Sequence, residues 1–139
     1  MRLVEVVEDV GFLQVSSCYE RRVMDVPKRQ YQVWAYSVTM GRLLLRSNKS
    51  EAFATRVDIL FQNVHAMKLL TALDPLVVAE ADSLESEQIL AETGLYPPKR
   101  KLVFLLRAGS FEGYVVAGVC FTNEDSGEYY DPSPLWIWR

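Results

Sequence analysis

Between residues 30 and 78 the side chains alternate in size, and that alternation leaves few folds open. In Gln32-Val33-Trp34-Ala35-Tyr36-Ser37-Val38-Thr39-Met40, the residues Trp34, Tyr36, Val38 and Met40 recur at every second position. An extended strand sends successive side chains to opposite faces, so these four share one face. Val33, Ala35, Ser37 and Thr39 share the other, which is smaller and more polar. Val57, Ile59 and Phe61 repeat the pattern opposite Arg56, Asp58 and Gln62. A helical period fits neither segment as well, and both are rich in β-branched and aromatic residues. The expectation is a strand over residues 31–40, a break at Gly41 and a second strand over residues 42–46. A polar turn over residues 47–51 and a third strand from Arg56 follow, with the bulkier face of each strand in a core.

The flanking segments add strands and one helix. Residues 2–8 and 12–19 read as short strands around Gly11, and residues 20–30 read as a charged loop, because Pro27 has no N–H for a central ladder. Residues 65–73 fit either a helix or a strand that continues to Leu69, and the strand is preferred. Asp74-Pro75 marks a turn before an apolar strand over residues 76–79. Asp82 with Glu85 three residues on has the spacing of a capping box, and Gly94 is placed to end a helix with a left-handed residue. A helix near residues 83–93 follows, with a thin apolar face of Leu84, Ile89, Leu90 and Ala91. Beyond the stiff Tyr96-Pro97-Pro98-Lys99 connector, residues 101–107 form a strand apolar on both faces. Residues 108–113 form a hairpin turn, residues 114–122 its partner strand, and residues 135–138 a terminal strand.

At 139 residues, the chain is expected to be a single globular domain over residues 1–139 with a core that needs no metal or disulfide. The fold class expected is mainly β (α+β): one antiparallel twisted sheet or a small sandwich or barrel, with one short covering helix near residues 83–93. Cys18 and Cys120, the only cysteines, lack CxxC spacing and read as free thiols of a reducing compartment, with a single structural disulfide as the alternative for an exported chain. Acids at Glu5, Glu8 and Asp9 interrupt any signal-peptide pattern, and no apolar run approaches a membrane helix. A soluble, cytoplasmic protein with no membrane partner is expected.

Most chemistries are disfavoured. A net charge of −3 gives no electrostatic case for nucleic acid, whose binding rests on many Lys/Arg contacts to phosphate. Basic clusters at Arg21-Arg22, Lys28-Arg29 and Lys99-Arg100-Lys101 lie near Tyr31 and Tyr96, as in single-strand binders. Solubilising charge at strand ends explains them equally simply and is preferred. His65 is the only histidine, and no serine or cysteine carries a nucleophile motif, so catalysis is not expected. Scattered carboxylates leave a small hydrolase open as a lesser reading. One histidine and two distant cysteines do not make a zinc site. The acidic run over residues 123–128 lacks EF-hand spacing and reads as a solvated turn. No phosphate-cradling glycine motif is present, and no cofactor is expected.

The C-terminal end is aromatic: Tyr129, Tyr130, Trp136 and Trp138 follow the acids Glu124, Asp125 and Glu128. Tyr and Trp dominate binding energy at interfaces, and acids steer basic partners. These seven residues are the candidate contacts of an interaction surface for a partner protein or for a second copy in a homodimer. The alternative is a small-molecule pocket lined by Trp34, Tyr36 and Met40.

The stretch Leu43-Leu44-Leu45-Arg46-Ser47, with Arg56-Val57-Asp58-Ile59-Leu60-Phe61-Gln62-Asn63-Val64-His65-Ala66-Met67-Lys68-Leu69, resembles small uncharacterised bacterial proteins. Some of these are similar to immunity proteins that neutralise a cognate toxin. The resemblance covers about a third of the chain and implies a non-enzymatic, immunity-like protein that binds another protein. It carries no site residue with it.

Overall fold

The computed structural model describes residues 2–3, 22–95 and 101–136. In chain order its strands are β1 (Arg2–Leu3), β2 (Arg22–Val23), β3 (Tyr31–Ser37), β4 (Arg42–Ser47), β5 (Arg56–Gln62), β6 (Ala66–Lys68), β7 (Ala72–Leu73) and β8 (Leu76–Glu80). The helix α1 (Ser83–Thr93) precedes β9 (Leu102–Ala108), β10 (Phe111–Ala117) and β11 (Val119–Asp125). They form two antiparallel sheets, ordered β1-β11-β5-β4-β3-β7 and β2-β8-β9-β10-β6, that do not close into a barrel. Of the architectures expected, this is the sandwich, with one covering helix among the described residues.

Alternation along each strand makes the core. Leu43, Leu45, Val57, Ile59 and Phe61 from the first sheet meet Leu76, Val78, Phe104, Leu106 and Val115 from the second. Phe61 and Phe104 pack edge to face with centroids 5.3 Å apart, worth about 0.5–1.5 kcal/mol beyond the area they bury. Cys120 is buried in the same core. The chain passes between sheets at Gly118, so the single strand expected over residues 114–122 is two strands, one in each sheet.

Each sheet also has a covered outer face. On the second sheet, Leu90 of α1 is buried against Val103 and Val116. The capping box is complete: Glu85 N–H donates to Asp82 Oδ1, and Asp82 N–H to Glu85 Oε1. Gly94 ends the helix at φ 79°, a conformation in which a Cβ would be strained. Its N–H donates to Ala91 O and that of Leu95 to Leu90 O, the paired bonds of a Schellman motif. The apolar face is thinner than expected, for Leu84 and Ala91 are exposed. On the first sheet, Leu135 covers Leu44 and Leu60, with Trp34, Ala35, Phe121 and Trp136 around them.

Three expectations are corrected. β3 ends at Ser37, and residues 38–41 form a turn in which Val38 is 80% exposed. The proposed core face of β3 is also wrong. A bulge between Val33 and Ala35 puts an extra residue, Trp34, into the ladder. Val33 pairs with Leu45 and packs on the core, whereas Trp34 and Ala35 both join the outer cluster. Bulges break period two in this way. Tyr36 pairs with Leu43 and returns to the inner side, where it is exposed at the end of the sheet. Finally, residues 134–135 form a turn, so the described part of the expected terminal strand is not a strand. Residues 2–3 are the described part of the first expected strand; the second, over residues 12–19, and the Tyr96-Pro97-Pro98-Lys99 connector lie outside the described residues.

Candidate functional site: the tyrosine turn and the cleft beside it

The outer face of β4 and β5, opposite the core, carries buried charge. Arg46 and Asp58 are direct cross-strand partners, and each side chain is 1% exposed. Arg46 Nε donates to Asp58 Oδ1 at 2.7 Å and Nη2 to Oδ2 at 3.2 Å. This fork-to-fork geometry is the strongest a guanidinium offers a carboxylate. The Arg46 guanidinium lies 4.8 Å over the Trp34 ring, and its Nη1 donates to Tyr129 O at 3.1 Å.

Arg56, also buried, holds the same segment more extensively. Its Nε and Nη2 donate to the two Asp125 carboxylate oxygens at 3.1 and 3.2 Å. Nη1 donates to Glu128 O at 3.0 Å and Asp131 O at 2.8 Å, and Nη2 to Pro132 O at 3.3 Å. Residues 125–132 therefore fold around this guanidinium. Gly127 makes the approach possible, because a Cβ there would lie 2.5 Å from Arg56 Cζ and Nη2. The part-buried carbonyls of this segment take their donors from two buried arginines rising from the sheet.

The product is a tight turn over residues 128–131. Asp131 N–H donates to Glu128 O at 3.1 Å, and Glu128 N–H donates back to Asp131 Oδ2 at 2.9 Å. Tyr129 and Tyr130 occupy the two central positions, 48% and 88% exposed. Trp34 and Tyr129 meet edge to face at 5.0 Å, and Tyr129 and Tyr130 at 4.7 Å. Such contacts orient the rings without burying the outermost one.

The other candidate contacts divide by role. Glu124 accepts from Arg29 Nη2 at 3.2 Å and from Thr55 Oγ1 at 2.6 Å. Burial raises the Asp125 carboxyl, but the Gly127 N–H, Arg56 and the Asn123 amide outweigh it and hold the group below its ordinary value. Glu128 pairs with Lys49 and is mostly exposed. Trp136 is half-buried on the Leu135 patch. Trp138 lies outside the described residues. Glu124, Asp125, Glu128, Tyr129 and Tyr130 thus belong to one ion-paired and aromatic surface. Arg46 and Arg56, which organise it, were missed as site residues. At even spacing they share a strand face with Leu44 and Leu60, which is the signal the sequence offers.

A cavity of about 490 Å3 opens beside the turn, with Arg29, Arg46, Asn48, Lys49, Phe53 and Tyr129 among its walls. Trp34, Tyr36 and Met40 do not line it. His65 is exposed at the far corner, where its Nδ1 contacts Asn63 O at 3.0 Å. No helix among the described residues is long and apolar enough to cross a membrane.

The class these features define is a two-sheet antiparallel sandwich, with a helix on one outer face and an arginine-held segment on the other. No family model, curated protein or solved structure matches the chain.

Proposed function

We propose that the protein is a non-enzymatic interaction module that binds a partner protein through the Tyr129–Tyr130 turn. One observation carries this reading: Tyr130 is 88% exposed at the tip of a turn whose backbone is hydrogen-bonded to buried Arg56 and Arg46. Rigid display of tyrosine supplies a large amphipathic contact with little ordering left to lose on binding. Glu128 beside it adds an exposed acid to the rim. The resemblance of the β4–β6 stretch to immunity-type bacterial proteins makes a toxin protein the first partner to test, with a second copy of the chain as the other.

A photo-reactive phenylalanine analogue placed at position 130, and separately at exposed Leu84 on α1, tests this in the native cells. The expected result is a discrete cross-linked adduct from position 130 and none from position 84. An adduct at twice the chain mass identifies self-association. The same pattern from both positions, or no adduct from position 130, overturns the proposal.

A further inference from the structure

Two buried side-chain polar atoms among the described residues have no hydrogen-bond partner, Arg29 Nε and Asn48 Oδ1. Both residues line the same cavity of about 490 Å3. Buried polar groups are nearly always satisfied, so two exceptions at one site point to something that fills it.

The walls define its charge. Lys28, Arg29, Arg46 and Lys49 line the cavity against a single acid, Asp74. Glu124, Asp58 and Glu128 pair with Arg29, Arg46 and Lys49, but none of those acids is among the lining residues. Lys28 is exposed and makes no ion pair among the described residues. Arg29 is 5% exposed, too buried to serve solubility. Its Nη atoms are held by Thr55 and Glu124, and its face lies 4.1 Å over Phe53. That fixes the guanidinium, and its Nε has no hydrogen-bond partner.

We propose that this cleft binds a small organic oxyanion that carries an adjacent hydroxyl. The oxyanion accepts from Arg29 Nε–H and the Lys28 and Lys49 ammonium groups, and the hydroxyl donates to Asn48 Oδ1. Both unsatisfied atoms are answered at once, one by an acceptor and one by a donor. The volume falls in the range of small-molecule sites, about 300–1,000 Å3, and exceeds what a bare inorganic ion needs. A phosphate monoester and a hydroxycarboxylate share this chemistry. The proposal does not rest on the partner-protein reading of the tyrosine turn, although Tyr129 is one of the cleft's walls.

Titration calorimetry on the intact chain at low salt distinguishes the two sources, with ribose 5-phosphate and citrate as probes and sodium chloride at matched ionic strength as the control. The expected result is one-to-one binding of at least one probe. Asn48→Ala should weaken it about three- to tenfold, as for a lost neutral hydrogen bond. Lys28→Gln, a surface change that leaves the fold intact, should weaken it severalfold, and Lys68→Gln outside the cleft should not. Tighter binding of ribose 5-phosphate assigns a phosphate ligand, and tighter binding of citrate a carboxylate. Heat no greater than the chloride control for both probes, or binding unchanged in both cleft variants, overturns the proposal.

Discussion

Arg46 and Asp58 face each other across adjacent strands, joined by hydrogen bonds of 2.7 and 3.2 Å with both side chains 1% exposed. The pair lies outside the sandwich core, under the segment that displays Tyr129 and Tyr130. Removing one partner strands the other charge in a dry site, which typically costs about 3–5 kcal/mol. Asp58→Ala should therefore lower the unfolding free energy, measured by guanidinium denaturation, by an amount of that order. Replacing both residues, as Arg46→Met with Asp58→Leu, should recover most of the loss.

Gly127 sits against the Arg56 guanidinium, where an added Cβ would meet Cζ and Nη2 at 2.5 Å. Five hydrogen bonds hold that guanidinium in place, so it cannot move aside freely. Gly127→Ala should destabilise the protein by about 1–3 kcal/mol, as overpacking does. Near-ultraviolet dichroism should show altered tyrosine packing, and the far-ultraviolet spectrum should stay the same.

The Asp125 carboxyl is pushed up by burial but held below its ordinary value overall by the Gly127 N–H, Arg56 and Asn123. A group depressed on folding stabilises the native state above its unfolded-state pKa and loses that contribution as pH falls through the folded value. Acid titration followed by near-ultraviolet dichroism should therefore show the turn loosening only below the normal range for aspartate. Asp125→Asn should remove that transition and leave the turn looser at neutral pH.

Cys120 is fully buried, and desolvation pushes its thiol far above the ordinary range. The thiolate is the reactive form, so the residue should be inert in the folded protein. In a Cys18→Ser variant, a thiol-exchange chromogen at mildly alkaline pH should give no signal from native protein. One equivalent should react once denaturant is added.

The sequence was most legible where signals are local. Asp82, Glu85 and Gly94 lie within one helix and set its ends without help from the rest of the chain. Val57, Ile59 and Phe61 lie on one face of β5, and that face is in the core. Period two failed at Trp34, because a bulge leaves no mark on residue spacing and moves the side chain to the opposite face. It also gives no sign that Arg56 and Asp58, opposite the core face, are buried, since what covers them is distant in sequence; Arg56 and Glu128 are 72 residues apart.

The surface residues were partly legible for the same reason. Tyr129 and Tyr130 stood out by type and are exposed, but only the Arg56 contacts set them at a turn. In the sequence Lys28-Arg29 is a basic cluster indistinguishable from ordinary surface charge. Arg29 is buried because Thr55 and Glu124, 26 and 95 residues away, converge on it. Long-range convergence of this kind has no periodic signature.

Residues 126–136 form a preformed surface held in place through Arg56, and native-state hydrogen exchange tests this most directly. The amides of Asp131, Leu135 and Trp136 donate to Glu128 O, Ser133 Oγ and Ser133 O. They should exchange far more slowly than an unstructured chain. In Arg56→Gln their protection should collapse, with the β9–β10 hairpin amides unchanged. Exchange at unstructured rates in the wild-type protein, or equal protection in Arg56→Gln, would contradict the account.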